Sequence, residues 1–166
     1  MKYIFLDIDG VISTFNESMS STKDFWDSNP WAKDMRVLYP FNQDCVMVLN
    51  EIIKETDAEI ILSSDWKKQR TLEELDIIFK KNGIIKSPID KTKNLRDEYS
   101  NFETCRSMEI THYIGENIIT DYIILDDLNL ESLLPFRVRE RFFRTDWEGG
   151  LGESGLKGDI IFKLNN

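Results

Sequence analysis

Lys2-Tyr3-Ile4-Phe5-Leu6-Asp7-Ile8-Asp9-Gly10-Val11 sets a short apolar run against two aspartates and a glycine. The Tyr, Ile, Phe and Leu residues read as a buried strand over 2–8, and Gly10 marks the turn that closes it. Two carboxylates one residue apart repel each other unless a cation neutralises them or one keeps a proton. Such a strand end is either a plain acidic turn or the beginning of a chemical site. An EF-hand is excluded, because the third acidic position is missing, the glycine comes too early, and a strand stands where a helix is required.

Outward from this stretch the same pattern recurs. Ala58 to Leu62 is a second apolar strand ending at Ser63, and Tyr122 to Leu125 another, ending at Asp126-Asp127. A weaker strand is expected at 84–89 with Pro88 inside it, and an edge strand at 141–144. Helices are expected from Asn42, a capping residue, to about Glu55, where Val46, Leu49, Ile52 and Ile53 form one stripe; over 72–81, ending at Asn82-Gly83; and over 102–115. Strands alternating with helices predict an α/β fold, a three-layer Rossmann-like arrangement with helices on both faces of a parallel sheet. Ligands in such sheets bind beyond the carboxyl ends of the strands. That rule gathers Asp7, Asp9, Ser63, Asp126 and Asp127 along one edge. Four carboxylates there, as hard oxygen ligands, suit Mg²⁺ rather than zinc or copper.

The 166 residues fit a single domain over 1–166, with an aromatic-rich insertion at about 12–40 that reads as a small local core or as a lid over the site. No stretch is long and apolar enough for a signal peptide or a membrane span, so a cytoplasmic location is expected. Cys45 and Cys105 lack metal-ligand spacing and read as reduced structural thiols. A net charge of −9 argues against a protein whose main task is non-specific nucleic-acid binding. Yet Lys67 to Arg96 holds nine basic and four acidic residues, and Arg137, Arg139, Arg141 and Arg144 form a second basic run. These stretches are solvated faces or a rim that draws an anionic substrate toward the acids.

The four segments resemble, in order, the motifs of the haloacid dehalogenase (HAD) superfamily: Ile4-Phe5-Leu6-Asp7-Ile8-Asp9-Gly10-Val11, Ile60-Ile61-Leu62-Ser63, Arg106 on the helix before the last motif, and Ile123-Ile124-Leu125-Asp126-Asp127. A narrower resemblance, to HAD domains associated with bacterial and phage RNA-repair proteins, rests on Leu62-Ser63-Ser64-Asp65-Trp66-Lys67, on Arg106 with Glu109-Ile110, and on Arg144-Thr145-Asp146 with Gly150-Leu151. The resemblance implies a phosphatase with Asp7 as nucleophile and Asp9 as general acid and base. It also implies Mg²⁺ held by Asp7, the Asp9 carbonyl and Asp126, with Asp127 as ligand or support. Ser63, Ser64 and Arg106 would bind phosphate, with Lys91, Lys93 and Arg96 as rivals for the part of Arg106. Trp66 and His112 read as structural.

Gly10 and Phe41 are separated by 30 residues and Ser63 and Arg106 by 42, too few for a large cap domain. A less covered site in this superfamily goes with bulky substrates, so a phosphomonoesterase for nucleotide or polynucleotide ends is expected. A small-metabolite phosphatase and a non-catalytic binding module are the alternatives.

Overall fold

The structure, a computed structural model, describes residues 1–14 and 41–166. Most of the aromatic-rich insertion therefore lies outside the described residues. Among the described residues five parallel strands form one sheet in the order β3-β2-β1-β4-β5. They are β1 (Tyr3–Leu6), β2 (Glu59–Leu62), β3 (Pro88–Lys91), β4 (Tyr122–Asp126) and β5 (Phe142–Arg144). The strand order runs outward from β1 in one direction and resumes beyond β1 with β4, which puts the topological switch point at the β1/β4 seam.

Alternation along the strands builds the three layers. Ile4, Leu6, Ile60, Leu62, Ile123 and Leu125 face one side, where α1 (Gln43–Thr56), α2 (Leu72–Lys81) and α6 (Lys157–Asn165) contribute Leu49, Ile53, Phe79 and Ile160 to a single core. Phe5, Ile61, Tyr122 and Ile124 face the other, packed on Ile110 of α3 (Phe102–Asn117) and Val138 of α4 (Phe136–Arg139). Side chains aimed alternately at two apolar layers explain why these strands read as continuous hydrophobic runs. The α/β class is as expected.

Asn42 caps α1 as its side chain implies, accepting hydrogen bonds from the N–H groups of Asp44 and Cys45. Thr71 and Glu74 form a reciprocal capping box at the start of α2. The expected strand at 84–89 is displaced: β3 begins at Pro88, which lacks an N–H and is tolerated at a strand's first residue. Ile84 turns into the core instead, its N–H bonded to the Phe79 carbonyl. α3 runs two residues past the expected end and stops at Ile118 in the left-handed region. α4, the short α5 (Gly150–Glu153) and α6 had no counterpart in the sequence reading.

Candidate active site

The sheet register does the first work of assembly. Leu6 is level with Leu62 on one side and Leu125 on the other, so the next residue of each strand, Asp7, Ser63 and Asp126, arrives at one height. The Asp7 N–H donates to the Leu125 carbonyl (3.0 Å) and the Ser63 N–H to the Leu6 carbonyl (3.0 Å), which carries the ladder up to the polar residues. Beyond Asp7 the chain curls tightly, with the N–H groups of Val11, Ile12 and Ser13 all directed to the Ile8 carbonyl. Gly10 sits in this curl at φ +75°, and a Cβ there would lie 2.5 Å from the Asp127 carboxylate. Only glycine suits both constraints.

The resulting cleft, about 340 Å³, is bordered by Asp7, Asp9, Ser64, Asp65, Arg106 and Asp127, with Phe102 and Trp147 as aromatic walls. Arg106 is 3% exposed; its Nη1 lies 2.5 Å from Asp126 Oδ2 and 3.2 Å from Asp7 Oδ2. Burial works against a charged guanidinium, yet Asp7 and Asp126 outweigh it and hold Arg106 firmly protonated. The second Asp7 oxygen accepts the Ile8 N–H at 2.9 Å. Of the rivals, Lys91 is spent on the carbonyls of Lys67 and Arg70, Lys93 pairs with Glu116, and Arg96 stacks on the Phe102 ring. Arg106 alone of the four touches Asp7.

Asp7, Asp126 and Asp127 each place a carboxylate oxygen within 4.8 Å of the others. Burial pushes Asp126 upward against the pull of Arg106, and burial followed by the charge of Asp7 pushes Asp127 up to about 6. Three crowded carboxylates, two of them contacted by one guanidinium, hold more negative charge than that cation offsets, and a hard divalent cation is the natural complement. The donor set thus fits Mg²⁺. The side chain of Asp9 stands apart from this trio, at the cleft mouth, where its Oδ2 accepts the Trp66 Nε1–H at 3.0 Å. Its carboxyl is held above the ordinary aspartate value by desolvation and by Asp7, with Trp66 and Arg106 pulling the other way.

Ser63 is fully buried, and among the described residues its Oγ has no hydrogen-bond partner. An orphaned hydroxyl beside Asp7 is costly unless a ligand oxygen completes it. Ser64 lines the cleft and caps the short 3₁₀ turn Asp65–Lys68 through its Oγ.

Several residues that the sequence offered only as part of the narrower resemblance, with no role in the site, belong to its surroundings. Trp66, read as packing, holds Asp9. Lys67 and Glu109 form a buried ion pair behind Arg106. Thr145 Oγ1 donates to the Gly10 carbonyl (2.8 Å) and the Leu151 N–H to the Val11 carbonyl (2.8 Å), so the C-terminal segment staples the loop after β1. In the basic stretch from Lys67 to Arg96, Lys67, Lys68, Lys80, Lys86 and Lys93 pair with carboxylates, while Lys91 lies on carbonyl oxygens and Arg70 and Arg96 over aromatic rings. His112 is exposed on α3, and both cysteines are buried free thiols.

A parallel α/β sheet that delivers Asp-x-Asp-Gly, Ser and Asp-Asp from adjacent strand ends around a buried arginine has the architecture of a HAD domain, which suggests a hydrolase. The chain belongs to the family described as the HAD domain in Swiss Army Knife RNA repair proteins, which matches residues 3–155. No curated protein and no solved structure matches it. No helix among the described residues is long and apolar enough to cross a membrane.

Proposed function

We propose that this protein is a Mg²⁺-dependent phosphomonoesterase that works through a phosphoaspartyl intermediate on Asp7 and acts on phosphorylated nucleic-acid ends. The observation that carries the reading is the position of Asp7: a buried carboxylate at the floor of an open cleft, 3.2 Å from Arg106 and grouped with Asp126 and Asp127. Bound by Asp7, Asp126 and Asp127 with the Asp9 carbonyl, Mg²⁺ would offset the charge of the phosphoryl oxygens so that one anion can approach another.

Asp7 attacks phosphorus in line; the aspartyl oxygen–phosphorus bond forms as the bond to the leaving oxygen breaks. Asp9, whose raised carboxyl retains a proton more readily than an ordinary aspartate, gives that proton to the leaving oxygen. It then takes one from the water that attacks phosphorus, which frees Asp7 and inorganic phosphate. The Trp66 N–H holds Asp9 in place for both transfers. Arg106 balances charge spreading over the phosphoryl group, and the Ser63 hydroxyl donates to one of its oxygens. A cytoplasmic setting belongs to the same reading, in keeping with the thiols of Cys45 and Cys105.

The nucleic-acid end is supported by the RNA-repair family and by a cleft that opens beside Trp147. A panel of 5′- and 3′-phosphorylated oligonucleotides, mononucleotides and sugar phosphates, each with Mg²⁺ or EDTA, tests it. Mg²⁺-dependent turnover with higher kcat/KM on oligonucleotide ends is expected; equal or better turnover of sugar phosphates would overturn the substrate class.

A further inference from the structure

Lys67 and Glu109 are buried with side chains only 2% and 1% exposed, and Nζ lies 2.5 Å from Oε2. Neither lines the cleft. Burying two charges is expensive and returns little stability, so a pair of this kind calls for another explanation.

Its connections supply one. Glu109 Oε1 is held by the Leu95 N–H at 3.0 Å and the Cys105 thiol at 3.4 Å. Glu109 Oε2, anchored by Lys67, lies 3.9 Å from Nε of Arg106, one turn earlier on α3. Lys67 Nζ also donates to the Ser63 carbonyl at 3.2 Å. In a trans peptide the carbonyl and the following N–H point opposite ways, so fixing the Ser63 carbonyl toward Lys67 directs the Ser64 N–H away from it. Ser64 is the residue of that peptide that borders the cleft.

We infer that Lys67 and Glu109 are positioning residues for phosphoryl transfer. Glu109 orients the Arg106 guanidinium on its Nε side while Asp7 and Asp126 take its far end, and Lys67 holds both Glu109 and the Ser63-Ser64 peptide. A guanidinium is a planar fork whose usefulness depends on its plane; Asp7 and Asp126 share one terminal nitrogen, Asp65 Oδ1 lies 3.9 Å from the other on the exposed side, and Glu109 is the buried carboxylate on Nε. Glu109 also separates two buried cations, Lys67 and Arg106, that would otherwise face each other. The inference rests on the reading of Asp7 as nucleophile.

The test is the double variant Lys67→Met with Glu109→Gln, which removes both charges together and leaves neither unpaired. With wild-type circular dichroism, kcat is expected to fall about 10- to 100-fold and KM to stay within about threefold. In an Arg106→Ala background the same two changes are expected to lower kcat by several-fold less than in the wild type, because the guanidinium is gone and only the Ser63-Ser64 peptide is left to position. Wild-type kcat in the folded double variant, or an equal loss in both backgrounds, overturns the inference. If the double variant does not fold, Glu109→Asp keeps both charges while shifting the carboxylate, and the same kcat, KM and background comparisons apply. A wild-type chain that hydrolyses no phosphomonoester overturns the phosphatase reading and this inference with it; an active wild type beside a fully active double variant overturns this inference alone.

Discussion

Arg106 is the residue on which the electrostatics of the site turn, because it is the cation in contact with both Asp7 and Asp126. Arg106→Ala is expected to lower kcat about 10²- to 10³-fold, the usual cost of removing a fixed positive or hydrogen-bonding group from a transition state. Steady-state kinetics on the preferred phosphomonoester check this; a loss below tenfold would hand the role to another cation. Asp7, Ser63 and Asp126 were legible in the sequence because each follows an apolar run whose length and period announce an element, whereas Arg106, inside a helix, came only from the family resemblance. Trp66, Lys67 and Glu109 entered only as letters of the narrower resemblance, and their contacts were not legible, since a hydrogen bond to Asp9 or an ion pair joining two elements leaves no periodic trace. An indole in a sequence looks the same whether it packs or donates.

Elements and their joints decide how well that site is held. Gly150 lies at φ +58°, where a Cβ would press on Thr14 Cγ2, the Val11 carbonyl and Cys45 Sγ. Gly150→Ala is expected to destabilise the chain by more than ~1 kcal/mol, from strain at positive φ plus overpacking, and to lower kcat by loosening the stapled loop after β1. Urea unfolding and kinetics read the two effects. A second joint is Asp76 on α2, bonded to Lys80 and to Ser87 just before β3, contacts that hold its carboxyl below the ordinary value of 3.8. A depressed carboxylate pKa contributes stability above the unfolded value and loses it as pH falls through the folded value. Asp76→Asn should therefore melt slightly lower than wild type at pH 7, with the gap closing below about pH 3.8; a gap unchanged at acid pH would contradict the assignment. β1, β2 and β4 were readable as apolar runs bounded by polar residues. β3 was misplaced because the run at 84–89 divides between a core-facing Ile84 and a strand that cannot start before Pro88. The short helices α4 and α5, four residues each, are below the length at which periodicity speaks.

For the whole molecule, the two apolar layers on one sheet predict a single cooperative unfolding transition. Because Asp7, Asp126 and Asp127 gather only when β1 and β4 are paired, Mg²⁺ should raise Tm in a concentration-dependent way. Differential scanning fluorimetry with and without EDTA reads this, and the shift should shrink in Asp126→Asn. A Tm indifferent to Mg²⁺ would contradict the assignment of the trio as its ligands. Phosphorus is held to pass through Asp7; acid-quenching the Asp9→Asn variant with p-nitrophenyl phosphate, whose leaving group needs no proton donor while hydrolysis of the intermediate still lacks its base, then reducing with borohydride, tests this most directly. An aspartyl phosphate is reduced to homoserine, which peptide mass mapping locates. Homoserine is expected at position 7 and nowhere else; reduction at another carboxylate, or none while the wild type turns over the same substrate, would mean that phosphorus does not pass through Asp7.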